Sequence, residues 1–249
     1  MPGKLLVPKV VSYNGYTKRG YLQKGTKAFV EHKTRLPRGL KREQKWRALR
    51  EIAGRAEFFI KPLSKRNQRI RKMLEKYGIR AEKVVQPLGN GTALFQKEGF
   101  SFDSAQGIAF VKKNPKKAIT ALQETFAKMT VLEIYHNHPH MGNFAITLKG
   151  EIIVLDLGKA TMGRPERIRR SHLSEAETKK LSNNLGVFCD SLSLYYFRRI
   201  LGREPELREL QETQTKFWTE IHEKMGQIFP EMSKQLLQNR KNAKLAKKK

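Results

Sequence analysis

Three histidines, an asparagine and an aspartate lie close together in the sequence, at spacings that suit chemistry on a bound ion. His136, His138 and His140 alternate with other residues, and Asn143 and Asp156 follow them. Imidazoles bind transition metals and exchange protons near neutral pH. Amide and carboxylate oxygens are the ligands that hard cations prefer. The segment therefore predicts either a hard-cation site at Asn143 and Asp156 or a transition-metal site of histidines.

The elements predicted around this segment favour the hard-cation site. Apolar runs over 144–148 and 151–155 predict two antiparallel strands. A hairpin of these strands brings Asn143 and Asp156 to the same end. Pro139 argues against a regular strand that would place the three imidazoles on one face. A histidine-cluster metal enzyme is therefore the weaker alternative, beside a polar loop with no chemistry.

The motif resembles two signatures of the protein-kinase superfamily, the catalytic loop and the metal-binding loop. In kinases the pattern reads H-x-D-x-x-x-x-N, followed by an apolar strand and D-F-G. Here His136 and Asn143 take the first and last loop positions, and Asp156-Leu157-Gly158 takes the place of D-F-G. The form is most similar to the compact atypical kinases, of the RIO-like and lipopolysaccharide-kinase-like types. Gly158 is expected to let the chain turn sharply after Asp156.

The resemblance implies an ATP-dependent phosphotransferase that uses Mg²⁺ and ATP, an atypical serine/threonine or small-molecule kinase. Asn143 and Asp156 would be its metal ligands, and His136 would belong to its catalytic loop. His138 stands where the family has its base-like aspartate. Since histidine also accepts protons near pH 7, His138 is either a substitute base or the mark of a silent site. The alternative function is a catalytically silent pseudokinase that acts as a basic RNA- or protein-binding module.

Kinases hold the nucleotide phosphates with a strand lysine paired to a helix glutamate, and one candidate is Lys33. It ends the predicted strand AFVEHK. Glu43 or Glu51 on the predicted helix 40–55 would be its partner. This placement is slightly preferred because it has the better helix.

The second candidate lysine is Lys61, which ends the apolar run Phe58–Ile60. Glu75 on the next predicted helix would be its partner. Lys97 lies in the predicted hinge, where main-chain groups would meet an adenine ring. Lys61 and Lys97 therefore join Lys33 and Glu51 as candidate nucleotide-binding residues.

The order of predicted elements gives an α+β fold class. Short strands occupy 1–35, Asn90–Gly91 predicts a tight hairpin, and only helices follow from about 173. Helical spacing of apolar residues predicts helices over 40–55, 64–77, 115–134, 173–201, 205–225 and 230–246. With the resemblance, this order predicts a bilobal protein-kinase-like fold: a small mixed N-lobe over 1–99 that covers the nucleotide, a helical C-lobe over 100–235 with the catalytic and metal loops, and a basic tail over 236–249.

The charge of the chain points to a polyanionic partner. Lys and Arg number 51 against 23 Asp and Glu, a formal net charge of +28. A charge of this size attracts RNA or an acidic protein. The single cysteine, Cys189, and the absence of a long apolar run in the sequence favour a cytoplasmic protein without a membrane span. Composition leaves the phosphoryl acceptor and the oligomeric state open.

Overall fold

The computed structural model describes residues 7–13, 16–23, 26–30, 58–89, 91–163 and 175–246. Lys33, Glu43 and Glu51, with the predicted helix 40–55, lie outside the described residues. The chain divides into two compact units, Met1–Lys65 with Glu82–Glu98, and Arg66–Ala81 with Gly99–Lys249. Residues 66–81, which the sequence placed in the N-terminal lobe, therefore group with the C-terminal unit.

The first unit contains a six-stranded sheet in the order β1-β2-β3-β4-β7-β6. Its strands are β1 Val7–Tyr13, β2 Tyr16–Gln23, β3 Thr26–Val30, β4 Phe58–Pro62, β6 Lys83–Gly89 and β7 Thr92–Gln96. All neighbours run antiparallel except β3 and β4, which are parallel. The β6–β7 pairing confirms the hairpin that was predicted at Asn90–Gly91, and Gly91 has the positive φ that this turn needs.

The second unit holds the helices and two small sheets. The helices are α1 Lys65–Lys76, α2 Ala105–Lys113, α3 Pro115–Val131, α4 Glu175–Tyr195 and α5 Leu207–Ala246, with a π-helical segment over Tyr196–Leu201. The strands are β5 Arg80–Ala81, β8 Phe100–Ser101, β9 Ile134–Tyr135, β10 Phe144–Ile146, β11 Ile152–Val154 and β12 Thr161–Met162. The sheets have the orders β5-β11-β10-β8 and β12-β9. A mixed α+β class with a helical C-terminal part is thus confirmed.

Two helices differ from the prediction. Helix α2 was not predicted, because Gly107 lowers the helix propensity of its first turn. The glycine is required there, since a Cβ atom at Gly107 would lie 2.0 Å from the Ser101 carbonyl oxygen. The Ser104 hydroxyl caps this helix by accepting from the Gly107 amide at 3.0 Å. Helix α5 runs through Pro230, where the sequence predicted a break between two helices.

A cluster of three phenylalanines anchors the β10–β11 hairpin to the helices of the second unit. Phe126 of α3 stacks on Phe188 of α4 with ring centroids 3.8 Å apart. Phe144 of β10 packs edge-on against both rings. All three side chains are fully buried, so the hairpin has a fixed place against the helices. In the described part of the chain, no helix combines the length and apolar character that crossing a membrane requires.

Candidate functional site

The β10–β11 hairpin brings Asn143 and Asp156 to its open end. Phe144 pairs with Val154, and the Leu155 amide donates to the Asn143 carbonyl at 2.8 Å, which extends the ladder by one residue. Asp156 is the next residue. Paired Cα atoms lie about 5 Å apart and successive ones 3.8 Å, so the Asn143 and Asp156 Cα atoms lie within about 9 Å of each other.

The Asn143 side chain is held by a single defined bond. Its Nδ2 donates to the His138 carbonyl at 2.7 Å, and the residue is 6% exposed. The amide nitrogen is thus engaged on the loop. Oδ1 is the atom of this amide that can act as a ligand.

The sharp turn after the hairpin lies at Asp156 itself, not at Gly158 as the sequence predicted. Asp156 has φ 45° and ψ 59°, in the left-handed region, where aspartate is enriched among non-glycine residues. Gly158 serves by its small size, since a Cβ atom there would lie 3.2 Å from Asp156 Oδ1. Burial lowers the pKa of both His136 and His140, and the negative charge of Asp156 partly opposes this on both rings.

His136 is fully buried and joins the loop to the second strand. Its Nε2 lies 2.8 Å from the Leu155 carbonyl oxygen. A carbonyl can only accept, so Nε2 carries the hydrogen. Nδ1 is buried and has no hydrogen-bond partner among the described residues. Burial lowers the pKa of His136, and the bond to Leu155 and the charge of Asp156 only partly offset it. The ring is therefore neutral at pH 7 and positions the loop.

His138 and His140 lie on the exposed side of the same loop. Their rings meet edge-on with centroids 4.6 Å apart, and the His140 amide donates to the His138 carbonyl at 2.9 Å. Partial burial and the neighbouring His138 lower the pKa of His140, while Asp103 and Asp156 act in the opposite direction. The loop thus presents two imidazoles outward, close to the Asp156 carboxylate.

Asp103 is a site residue that the sequence analysis missed. A Cβ atom at Gly142 would lie 3.0 Å from Asp103 Oδ2 and 3.1 Å from His140 Nδ1, so both groups press against this glycine. The Ser101 hydroxyl donates to the Gly142 carbonyl at 3.2 Å and ties β8 to the same point. No signal in the sequence marks this contact, because Asp103 lies far before the loop and belongs to no motif.

Asn137 anchors the loop to α4 and to the segment after Asp156. Its backbone amide donates to Asn184 Oδ1 at 3.2 Å, and its Nδ2 donates to the Lys159 carbonyl at 2.9 Å and to Thr161 Oγ1 at 3.0 Å. The Met141 amide donates to a hydroxyl of α4 at 3.3 Å. Asn137 has φ 59°, a left-handed conformation that asparagine tolerates. These bonds fix the loop on both sides of His138.

In the first unit, Lys61 forms a close ion pair with Glu82. The Nζ–Oε1 distance is 2.7 Å, and the side chains are 16% and 7% exposed. Glu82, which the sequence analysis did not single out, is therefore a carboxylate partner of Lys61. The predicted partner, Glu75, is an exposed residue of α1. Glu82 was missed because it lies between two strands rather than on a helix. Lys97 follows β7 at an exposed position. Desolvation of its ammonium by the surrounding protein atoms lowers its pKa.

Comparison with family models and curated proteins assigns this chain to no family. No family model matches the sequence, and no curated protein matches it significantly. The interpretation of the site therefore rests on its residues, its hydrogen bonds and the kinase resemblance of the loop.

The described part of the chain does not contain the cluster of metal ligands that a histidine-based metal site would need. No three His, Cys, Asp or Glu side chains among the described residues are placed to hold a metal ion. The Nε2 atom of His136 is already engaged by the Leu155 carbonyl. Cys189 is buried, and burial and Asp190 raise its pKa to about 12, so its thiol stays protonated. What the site offers is oxygen ligands at Asn143 and Asp156 beside two exposed imidazoles.

Proposed function

We propose that this chain is an ATP-dependent phosphotransferase of the protein-kinase-like type, with the bilobal fold that this implies. The observation that supports it most is the hairpin end, where the backbone pairing brings Asn143 and Asp156 to the same place with Cα atoms within about 9 Å of each other. An all-oxygen pair suits Mg²⁺. When bound, Mg²⁺ would neutralise the charge of the nucleotide phosphates.

In this proposal two loop histidines have separate roles, one in positioning the loop and one at the acceptor hydroxyl. His136 is a positioning residue, because its bond to the Leu155 carbonyl holds the loop against the strand that ends at Asp156. Exposed His138 takes the place of the aspartate that binds the acceptor hydroxyl in kinases. In the proposed reaction its imidazole accepts the hydroxyl proton as a general base.

The ion pair of Lys61 and Glu82 supports the same proposal from the first unit. Like the phosphate-binding pair of kinases it joins a strand lysine to a glutamate, although Glu82 lies between two strands and not on a helix. A carboxylate that holds the ammonium at 2.7 Å gives Lys61 a defined position. Among the described lysines, Lys61 is therefore the preferred phosphate ligand, with Lys97 in the proposed hinge. Lys33 with Glu51 is the other candidate pair.

The first test measures Mg²⁺-dependent ATP binding by thermal shift. A nucleotide at 100 times its Kd stabilises a protein by about 2.7 kcal/mol. Asp156→Asn should remove this shift, and it should fold, because asparagine also adopts the left-handed conformation. Asp190→Asn, an exposed aspartate of α4, is the matched control and should bind like the parent. Equal shifts in both variants would falsify the site.

The second test measures catalysis with γ-labelled ATP and a mixed acceptor extract. His138→Asp rebuilds the kinase-type loop without touching the buried residues. It should raise phosphoryl transfer by at least about tenfold, because general-base catalysis typically contributes 10²–10⁴-fold. If neither the parent nor this variant transfers phosphate above an Asp156→Asn background, phosphotransferase activity is excluded.

The second candidate function is a basic polyanion-binding module, and a lysine groove favours it. A cavity of about 740 Å³ at the start of α3 is lined by Lys113, Lys116 and Lys117 among others. Its one described acidic lining residue, Glu124, faces Lys224 at 3.4 Å. With the net charge of +28, three lysines here suit the phosphates of RNA.

The salt dependence of RNA binding tests this module. Changing the three groove lysines to glutamine should reduce the slope of log K against log salt by about two to three, because each phosphate contact contributes about 0.7–0.9. A control triple variant changes Lys72, Lys76 and Lys216, which are exposed on other helices. If both triple variants lower the slope equally, the groove has no special role.

A further inference from the structure

A cavity of about 420 Å³ lies beside the His138 loop, on the side of α4. The loop contributes Asn137 and Pro139, and α4 contributes Lys179, Lys180, Asn183 and Asn184. None of the described lining residues is acidic. The volume falls in the range of small-molecule sites. The cavity is thus concave, basic and rich in amide donors.

Asn184, which lines this cavity, has a buried donor without an acceptor among the described residues. Its Oδ1 accepts from the Asn137 amide at 3.2 Å, and this bond fixes which end of the side-chain amide is which. The residue is 6% exposed, and its Nδ2 has no hydrogen-bond partner among the described residues. Buried polar groups are nearly always paired, so an orphan N–H group calls for an acceptor.

The two lysines supply positive charge at the same cavity. The Lys180 ammonium lies 4.6 Å from the centre of the Tyr135 ring, a cation–π contact that restricts its position. Lys179 precedes it on α4 and is exposed, as is the Asn183 amide. Among the described lining residues, which also include Val187, two ammonium groups and two amides without a carboxylate form a donor set that matches an oxyanion.

We propose that this cavity binds the phosphate group of a small phosphorylated molecule. Its concave shape favours a small molecule over the extended backbone of a nucleic acid. None of its residues is assigned to nucleotide or metal binding, so the proposal goes beyond phosphotransfer and does not depend on it. The same site should therefore survive in Asp156→Asn.

Inorganic phosphate and pyrophosphate are the probes, with sodium chloride at equal ionic strength as the blank. Both probes should raise the melting temperature of the parent and of Asp156→Asn. The double variant Lys179→Gln/Lys180→Gln should lose this rise, or bind pyrophosphate at least tenfold more weakly. Lys216→Gln on α5, an exposed lysine, is the control and should keep it. Equal rises in all variants, or none in the parent, overturn the proposal.

Asn184→Asp tests the orphan donor. Its carboxylate can still accept from the Asn137 amide, and the other oxygen replaces the N–H group with negative charge. Phosphate should no longer raise the melting temperature of this variant above its own probe-free value. A phosphate response in Asn184→Asp as large as in the parent contradicts the assignment. A homopolymer RNA that loses affinity in the lysine double variant, with no phosphate response in the parent, would instead assign the cavity to nucleic acid.

Discussion

The loop from His136 to Asn143 has an inner half and an outer half that differ in burial and in bonding. His136 and Asn143 are buried and bond to backbone carbonyls, those of Leu155 and His138. His138 and His140 are exposed, and their rings contact each other. The three histidines are evenly spaced in the sequence but differ in environment. His136 fixes the position of the loop, whereas His138 and His140 are accessible to ligands.

The backbone explains the difference. Asn137 adopts φ 59°, and Pro139 follows two residues later, so the alternation of a strand is interrupted between the histidines. His136, directly after β9, still follows the strand into the core. Asn137, His138 and His140 instead lie at the surface. A shared imidazole face, which a regular strand would have produced, does not form.

The largest effect should come from removing the inner histidine. His136→Ala leaves the Leu155 carbonyl without its donor and opens a cavity against Phe144, whose ring lies 5.7 Å away. We expect a loss of about 2–4 kcal/mol in the free energy of unfolding. His138→Ala should change it by less than about 0.5 kcal/mol, because its side chain is exposed. Urea denaturation measures both; similar losses would erase the division between the two halves.

Asn143→Leu should have the next largest effect. Leucine has the same branching and number of side-chain heavy atoms, although it is larger, and it cannot donate to the His138 carbonyl, which keeps the bond from the His140 amide. The expected cost is about 1–2 kcal/mol, with loss of Mg²⁺-dependent ATP binding. His140→Leu changes the outer half and should preserve both stability and nucleotide binding. Nucleotide binding that survives in Asn143→Leu would remove this amide from the metal site.

Much of the scaffold was predictable because its signals are local. The β6–β7 hairpin has its Asn90–Gly91 turn, and α3 has Pro115 at its start and apolar residues at helical spacing. The β10–β11 hairpin was found in the same way, although each strand is three residues rather than five. Short-range pattern was therefore enough to place Asn143 next to Asp156.

The site residues that could not be predicted from the sequence are those that contact the site from distant positions in the chain. Asp103 reaches the loop across a gap of more than 30 residues, and Asn184 reaches Asn137 across 47. Glu82 lies outside any helix, where the kinase pattern has no place for the partner of Lys61. Which histidine is buried also depends on packing against Phe144, which periodicity does not reveal. Tertiary contacts, rather than local propensity, decided each of these.

Acid should destabilise the fold through the buried histidine of the inner half. Burial lowers the pKa of His136 from its usual value near 6.5, so the unfolded chain binds more protons than the folded chain below that pH. Its contribution to stability is complete above pH 6.5 and declines as the pH falls towards the folded pKa. The slope reaches at most about 1.4 kcal/mol per pH unit for one proton. Partial burial shifts the pKa of His140 the same way.

His136→Gln separates this effect from general acid denaturation. Glutamine can still donate to the Leu155 carbonyl but does not titrate, so the decline in unfolding free energy between pH 6.5 and 5 should flatten. His222→Gln, at an exposed position on α5, should keep the slope of the parent. A slope unchanged in His136→Gln would show that the buried ring is not the group being protonated.

The smallest effect should come from a single methyl group where the two halves meet. In Gly142→Ala the new Cβ atom would lie 3.0 Å from Asp103 Oδ2 and 3.1 Å from His140 Nδ1, tighter than ordinary contact. Both neighbours are side chains that can shift by a few tenths of an ångström, so we expect a loss of only about 1 kcal/mol. Gly186→Ala is the control, because nothing lies within 4 Å of its Cβ position in α4. Alanine there should stabilise the helix by about 0.5–1 kcal/mol. Urea denaturation measures both changes in the free energy of unfolding. A loss in Gly142→Ala with a gain in Gly186→Ala would show that the outer half, although exposed, is closely packed at Gly142. A gain in both variants would mean that Asp103 and His140 are free to move away.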